Sequence, residues 1–153
     1  MTALSTPPPG FQAIARSAAA RYGLDPALVC GVIDRESSWD QYATRYEQEF
    51  FNRYIFPLFK DPTISATEAH LRAFSWGLMQ VMGQTAREFG YAGALPALCL
   101  PLNGVEVGCK VLAHKIAVNG NDAAKGLEAW NGGANPNYAP EVLALTAKYK
   151  IAS

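Results

Sequence analysis

The segment from Asp25 to Glu36 is an apolar stretch with helical periodicity that ends in a carboxylate. Asp25 is a favoured N-cap residue and Pro26 suits the first helical position, so the pair predicts where a helix begins. At about 100° per residue, the apolar side chains fall on one stripe of that helix. They are Leu28, Val29, Val32 and Ile33. Glu36 follows at helical spacing, so a chain that folds around this stripe must hold a carboxylate beside its core.

Two interpretations of Glu36 are open from this segment alone. Loss of hydration disfavours the charged form of a carboxylate, and a proton donor near neutral pH must keep its proton until it is used. Glu36 is therefore a candidate general acid. Alternatively, the helix ends here, and Glu36 turns to solvent or pairs with an arginine.

Later motifs occur in a fixed order after Glu36-Ser37. They are Ser75-Trp-Gly-Leu-Met-Gln80, then Ala129-Trp-Asn-Gly-Gly133, then Tyr138. The series resembles that of the lytic transglycosylases of the soluble-lytic-transglycosylase type, in the lysozyme-like superfamily, over roughly residues 18–149. Trp130 stands where that family commonly has Tyr. The segment between Ser37 and Gly77 is long, as in the variant found in phage and prophage cell-wall enzymes.

The resemblance implies a reaction on peptidoglycan. The expected substrate is the MurNAc-β-1,4-GlcNAc bond, cleaved with formation of a 1,6-anhydromuramoyl end, with Glu36 as general acid and then base. It also implies a set of substrate-binding residues from the motifs. These are Ser37, Ser75, Gly77, Met79, Gln80, Trp130, Asn131 and Tyr138.

Several of these motif residues also have an ordinary structural interpretation. Ser37 has the character of a helix-end hydroxyl, and Met79 that of a core filler. Gly77 suits a loop bend, Asn131 suits a helix C-terminus, and Tyr138 suits plain packing. The sequence leaves both kinds of role open.

The segment between the first two motifs adds two further candidates. It is rich in aromatic residues from Tyr46 onward, and we expect some of these rings, Tyr46 among them, to line a sugar-binding groove. Glu47 is the best candidate for a second acidic site residue, and Asp40 ranks below it. The alternatives are core packing for the rings and a solvated charge for Glu47.

Length and composition predict one folded domain. Of 153 residues, 50% are hydrophobic and 17% are charged, which excludes a disordered body. We expect a flexible tail over 1–9, a lysozyme-like domain over 10–153, and a monomer. Thirteen basic residues balance thirteen acidic ones, so nothing indicates nucleic-acid binding, and no apolar run is long enough for membrane insertion.

Cysteines and histidines give no sign of a metal or cofactor. Cys30, Cys99 and Cys109 are odd in number, which argues against a disulfide framework, and we expect reduced structural thiols. His70 and His114 are far apart and lack ligand spacing to cysteines or acids. No metal and no cofactor are therefore expected.

The N-terminus lacks both a basic start and an apolar core, so we expect no signal peptide. A protein made in the cytoplasm would then need a holin, or a tail or secretion apparatus, to reach the cell wall.

Periodicity and turn residues predict a mainly α protein of α+β lysozyme-like type. We expect helices over 11–22, 25–36, 50–59, 67–74, 84–89, 101–118, 122–130 and 140–149. Residues 39–46 fit a short strand or an irregular lobe, and 77–81 fit the floor of a cleft. The fold class leaves room for a small β element beside that cleft.

Two competing functions remain at this point. A lysozyme-like muramidase on the same fold would add water instead of closing the anhydro ring, and a second carboxylate across the cleft would favour it. A non-catalytic module that binds cell-wall glycan would keep the groove without the chemistry. Glu36 argues against such a module, because a binder has little reason to hold an acid beside its core.

Overall fold

A computed structural model describes residues 7–151 of the protein. Its helices are α1 Pro9–Arg21, α2 Pro26–Ser37, α3 Gln48–Phe50, α4 Ala66–Arg72, α5 Gly83–Glu88, α6 Pro101–Val118, α7 Ala123–Asn131 and α8 Tyr138–Ala147. Its strands are β1 Thr44–Tyr46, β2 Phe74–Trp76 and β3 Val81–Met82. The mainly α fold with a small sheet is confirmed. Of the predicted tail, residues 1–6 lie outside the described part, and Pro9 already belongs to α1.

Helix α2 lies at the centre of the molecule. The Asp25 carboxylate caps it by accepting from the Ala27 amide at 2.9 Å, and every residue from Ala27 to Ile33 is buried. Helix α8 packs closely along it, and a Cβ at Gly31 would lie 2.5 Å from the Thr146 hydroxyl oxygen. Such tight packing fixes the direction of α2 and therefore the position of Glu36 in its last turn.

The three strands form an antiparallel sheet in the order β1-β2-β3. Arg45 pairs with Ser75, and Ser75 pairs with Met82. Because directly paired residues share a face of a sheet, these three side chains are aligned across it. The sheet therefore presents one continuous row of side chains beside the end of α2.

The predicted helix over 50–59 is wrong as a regular α-helix. The chain instead makes the short α3, a π-helical turn over Phe51–Ile55 and a 3-10 turn over Phe56–Lys60. Pro57 explains the break, since proline has no N–H to donate and its ring disfavours continued α-helix. The π-helical turn carries Phe51 and Ile55, which are both buried.

Other boundaries differ where tertiary contacts compete with helix propensity. Helix α4 begins after Ser65, whose hydroxyl accepts from the Glu68 amide at 3.1 Å. It ends before Phe74, because Phe74 pairs with Tyr46 in the sheet. The last helix begins at Tyr138 rather than at Pro140, and an unforeseen 3-10 turn spans Leu95–Cys99.

The aromatic segment forms a small core of its own beside the sheet. Its buried members are Phe51, Ile55, Ala69 and Ala73, with Tyr46, Phe50 and Ile64 packed against them. His70 stacks on Phe51 with ring centroids 4.6 Å apart, and Tyr46 lies 5.2 Å from Phe74. This second core joins β1 to α4.

The three cysteines are free thiols. Burial raises the pKa of Cys30 to about 11 and that of Cys109 to about 12, which makes both unreactive. Within residues 7–151, no cluster of histidine, cysteine and acidic side chains could hold a metal ion. Over the same residues, no helix combines the length and hydropathy that a membrane span requires.

Glu68, on α4, binds Arg72 of its own helix and Arg87 of α5. Its Oε1 accepts from Arg87 Nε at 2.7 Å and from Arg72 Nε at 2.9 Å. The hydrogen bonds from Arg87, and secondarily from Arg72, hold the pKa of Glu68 below its usual value, against the opposing effect of burial. A carboxyl whose pKa is depressed by folding stabilises the protein above its unfolded pKa and loses that contribution on acidification.

We therefore expect Glu68→Gln to lower the melting temperature at neutral pH and to flatten its fall below pH 4.5, the ordinary value for this group. Melting curves from neutral to acidic pH measure both effects. Glu128→Gln, at an exposed position, is the control and should follow the parent. Parallel pH profiles for Glu68→Gln and the parent would contradict this role.

Candidate active site

Two ring donors from different helices converge on one oxygen of Glu36. Trp130 Nε1, on α7, donates to Glu36 Oε1 at 3.0 Å, and the Tyr138 hydroxyl, at the start of α8, donates to the same oxygen at 2.5 Å. Within residues 7–151, no group donates a hydrogen bond to Oε2. The half-buried carboxyl is therefore held by one oxygen, while the other is not engaged by the described part of the chain.

The surroundings of Tyr138 keep its hydroxyl group protonated and therefore able to donate a hydrogen bond. The residue is 3% exposed, and burial together with the neighbouring Glu36 carboxylate raises the pKa of Tyr138 well above its ordinary value. The Arg35 guanidinium lies 5.7 Å from the Tyr138 ring centroid and is itself held by Glu141 at 2.7 Å. The phenol thus stays protonated, and able to donate, at neutral pH.

A cavity of about 230 Å³ opens beside Glu36. Its wall includes these residues predicted from the sequence: Glu36, Glu47, Ser75, Gln80, Trp130 and Asn131. It also includes residues that were not selected from the sequence as site residues: Arg45, Val81, Met82, Thr85, Val111 and Lys115. The sheet supplies one side of the cavity, and α5, α6 and α7 supply the other.

The end of β1 places Glu47 in the cavity and turns Tyr46 away from it. Arg45 and Glu47 both line the wall, and Arg45 Nε lies 2.5 Å from Glu47 Oε1. Successive strand residues face opposite sides, so Tyr46 joins the aromatic core instead. The expectation that Tyr46 lines the groove is corrected on this point. Asp40, the lower-ranked acid, accepts from the Tyr42 amide at 2.9 Å and does not line the cavity.

The side chains of Ser75 and Gln80 bind each other in the cavity floor. The Ser75 hydroxyl donates to Gln80 Oε1 at 2.8 Å, and Gln80 Nε2 donates to the carbonyls of Ala43 and Gly77 at 2.8 and 2.9 Å. Gln80 itself has a left-handed backbone, with φ of 50°. These bonds engage both ends of the Gln80 amide, so its role in this structure is to tie the floor to the segment before β1.

Three predicted substrate contacts lie behind the cavity wall instead. The Ser37 hydroxyl donates to the Leu78 carbonyl at 2.8 Å and so joins α2 to the floor. Gly77 has φ of 70°, and a Cβ there would lie 2.5 Å from the Leu98 carbonyl oxygen. Met79 is 0% exposed and packs against Gly108. The first two residues shape the floor, and Met79 belongs to the main core.

Asn131 ends α7 at the cavity rim. In the orientation that satisfies both ends of its amide, the oxygen accepts from the Asn135 and Ala134 amides at 2.7 and 3.2 Å. Gly132 follows with φ of 69° and closes the helix. Asn131 therefore orders the turn that follows α7 and lines the cavity at once.

The turn after α2 is strained, and a buried network supports it. Ser38 and Trp39 both have positive φ, at 50° and 66°, which costs free energy in residues other than glycine. Trp39 is 2% exposed and donates through Nε1 to the Tyr149 hydroxyl at 3.0 Å, which donates in turn to Asp34 Oδ2 at 2.7 Å. The network locks the chain directly after Glu36 and Ser37.

Lys115 is the functional candidate that the sequence interpretation missed. It lies on α6, lines the cavity, and donates to the Ala129 carbonyl at 3.1 Å. The signal was present, because Lys115 follows Val111 by four residues and Leu112 by three, on the buried side of its helix. The same argument that singled out Glu36 applies to it.

The family model described as Transglycosylase SLT domain matches residues 13–142 of the chain. The chain belongs to this transglycosylase family. The matched range contains Glu36, both of its ring donors and the whole cavity wall. No solved structure gives a significant match to the chain.

Membership of the transglycosylase SLT family identifies the chain as a lytic transglycosylase of the lysozyme-like superfamily, whose substrate is peptidoglycan. In this SLT domain the charged groups of the cavity have different surroundings. Glu36 is bound by two neutral donors, Glu47 is paired with Arg45, and Lys115 contacts a backbone carbonyl.

Proposed function

We propose that the protein cleaves the MurNAc-β-1,4-GlcNAc bond of peptidoglycan with Glu36 as the single general acid and base. The observation that carries this is the pair of donors on Glu36 Oε1, from Trp130 at 3.0 Å and Tyr138 at 2.5 Å. They fix the carboxyl group and leave Oε2 to carry and deliver a proton. Preorganised donors of this kind require no reorganisation during the reaction.

The proposed reaction uses Glu36 twice. Its proton passes to the glycosidic oxygen as the bond from that oxygen to C1 of the MurNAc residue breaks. The 6-hydroxyl oxygen of the same sugar then bonds to C1, and its proton returns to the Glu36 carboxylate. No water is consumed, and the product is a 1,6-anhydromuramoyl end. The carboxylate also stabilises the positive charge that develops at the sugar ring.

Glu47 gives a specific reason to keep a second candidate, a muramidase. It lines the same cavity as Glu36, and hydrolysis with a second carboxylate uses that group to activate water or to attack C1. Against this, Arg45 Nε already lies 2.5 Å from Glu47 Oε1, and this contact compensates the negative charge. Transglycosylation needs one carboxylate and is therefore favoured. The two reactions differ by one water in the product.

We also propose a phage or prophage type of role, with delivery to the wall by a holin or a tail or secretion apparatus. The support is the long segment between Ser37 and Gly77, which forms β1 and most of the aromatic core. Producing the protein inside a susceptible cell, with and without a pore-forming holin, tests delivery. Lysis without the holin would contradict it.

Purified cell walls test the proposed activity directly. The parent protein should clear a wall suspension and release soluble muropeptides. Mass spectrometry of these muropeptides then identifies the kind of end that each carries. A protein that sediments with the walls but releases nothing would be a glycan-binding module instead.

A further inference from the structure

Lys115 brings a positive charge into the cavity without an acidic partner. Its side chain is half-buried, and its ammonium donates to the Ala129 carbonyl at 3.1 Å. Among residues 7–151, no carboxylate lies within ion-pair distance of Lys115. Arg45, the other cation in the wall, is different, since it pairs with Glu47 and its side chain is 75% exposed.

An ammonium group has three donors, and the bond to Ala129 uses one of them. A partly desolvated charge in a cavity is costly unless something compensates it. Because the described chain places no carboxylate within ion-pair distance of Lys115, an anionic group on whatever fills the cavity would compensate this charge. A lysine in this setting is a point charge that suits a carboxylate.

We propose that Lys115 determines specificity by binding a carboxylate carried by the muramic acid residue of the glycan. This inference rests on the proposed function. The hydroxyl and N-acetyl groups of the sugars are neutral, so carboxylates are the groups whose charge matches Lys115. They occur in two places, as the free lactyl carboxylate of a muramic acid without a peptide and as the carboxylates of the peptide stem.

A second role for Lys115 must be separated from this one. Its bond to the Ala129 carbonyl lies next to Trp130, which donates to Glu36. A substitution of Lys115 therefore has a route to the catalytic carboxyl that does not involve the substrate. A substitution that acts by that route slows the cleavage of every substrate equally. A substitution that removes charge recognition slows only the cleavage of substrates that carry a carboxylate.

Lys110 provides a matched control on the same helix. It also donates to a backbone carbonyl, that of Phe89 at 2.8 Å, but it is exposed and does not line the cavity. Lys115→Met and Lys110→Met each remove one charge and one bond to a carbonyl from α6. The difference between the two variants therefore measures the effect of a positive charge inside the cavity.

The experiment compares the parent with both variants on three walls at limiting wall concentration. The first wall is intact, the second has its stems removed by an amidase and exposes lactyl carboxylates, and the third has all carboxyl groups converted to amides. On walls that present the recognised carboxylate, Lys115→Met should be roughly tenfold slower than the parent, the effect of losing one charge-assisted contact. These are the intact walls for a stem carboxylate and the stem-free walls for the lactyl carboxylate. On amidated walls the two should be equal. Lys110→Met should match the parent throughout.

The stem-free wall identifies the carboxylate. A deficit of Lys115→Met that appears only on stem-free walls assigns the lactyl group, whose carboxyl is tied up in an amide when the stem is present. A deficit on intact walls that is lost on stem-free walls assigns the stem, and a deficit on both walls shows that Lys115 accepts either carboxylate. Equal rates of Lys115→Met and parent on both intact and stem-free walls would overturn the proposal, as would an equal deficit on amidated walls. A parent that cleaves none of the walls refutes the proposed function instead. Co-sedimentation of Lys115→Met and parent with the three walls then tests Lys115 separately, with the same pattern expected in the dissociation constants.

Discussion

Replacing Glu36 by Gln should leave a folded protein that clears cell walls at least about a hundredfold more slowly than the parent, the usual contribution of a general acid. The amide oxygen of Gln still accepts from Trp130 and Tyr138, so the local packing is retained. It has no proton to give to the glycosidic oxygen. Turbidity loss of a wall suspension measures the rate, and a melting curve should show a temperature within a few degrees of the parent's.

Glu106→Gln is the matched control for that experiment. Glu106 also accepts from a tyrosine hydroxyl, that of Tyr22 at 2.8 Å, but it lies outside the cavity wall. Its replacement removes a surface ion pair with Arg21 and should leave the clearing rate unchanged. A Glu36→Gln protein that clears walls at the rate of Glu106→Gln would end the assignment of Glu36 as the acid.

Tyr138→Phe should lower the clearing rate by about tenfold to a hundredfold, the range expected for losing one hydrogen bond to a charged group at a reacting centre. The phenol donates to Glu36 Oε1 at 2.5 Å, and its removal leaves Trp130 as the one described donor. In the proposed mechanism Tyr138 acts through Glu36 and is a positioning residue. The loss should therefore appear in kcat, with KM for soluble glycan fragments nearly unchanged.

Tyr22→Phe controls for the loss of a phenol that donates to a carboxylate. Its hydroxyl donates to Glu106 at 2.8 Å, which mirrors the Tyr138 contact at a distance from the cavity. It should keep the parental kcat. If Tyr138→Phe also keeps the parental kcat, the two-donor account of the site is wrong.

The parts of the fold that follow from local chemistry were predictable from sequence. Asp25 and Pro26 mark the start of α2, and apolar spacing gives its buried face, so the place of Glu36 in the last turn follows from the residues of α2 themselves. The bounds of α6, Pro101–Val118, follow from its apolar period in the same way. These elements are specified by their own residues.

The parts that depend on tertiary contacts were not predictable. The segment 50–59 has helical composition, but its shape comes from Pro57 and from packing against α4. Tyr46 was expected in the groove, yet the pairing of β1 with β2 decides which face it takes. A shift of one residue in that pairing would exchange Tyr46 for its neighbours, and sequence alone does not set the register.

The site shows the same division. The motifs located Glu36 and both ring donors, but they did not separate residues that face the cavity from residues that support it. Met79 illustrates this, because its burial against Gly108 depends on how closely α6 approaches the floor. Lys115 was overlooked because its helix was interpreted as core, although one of its cavity-facing positions carries a charge.

The mass of the released muramoyl ends, from walls digested in water enriched in oxygen-18, tests the central claim most directly. The account predicts anhydro ends that are one water lighter than reducing ends and that carry no label. In that case the sugar's own 6-hydroxyl oxygen closes the ring, and Glu36 accepts its proton. Reducing ends that carry the label would contradict the account, and would instead assign the cavity, with Glu36 and Glu47, to a muramidase.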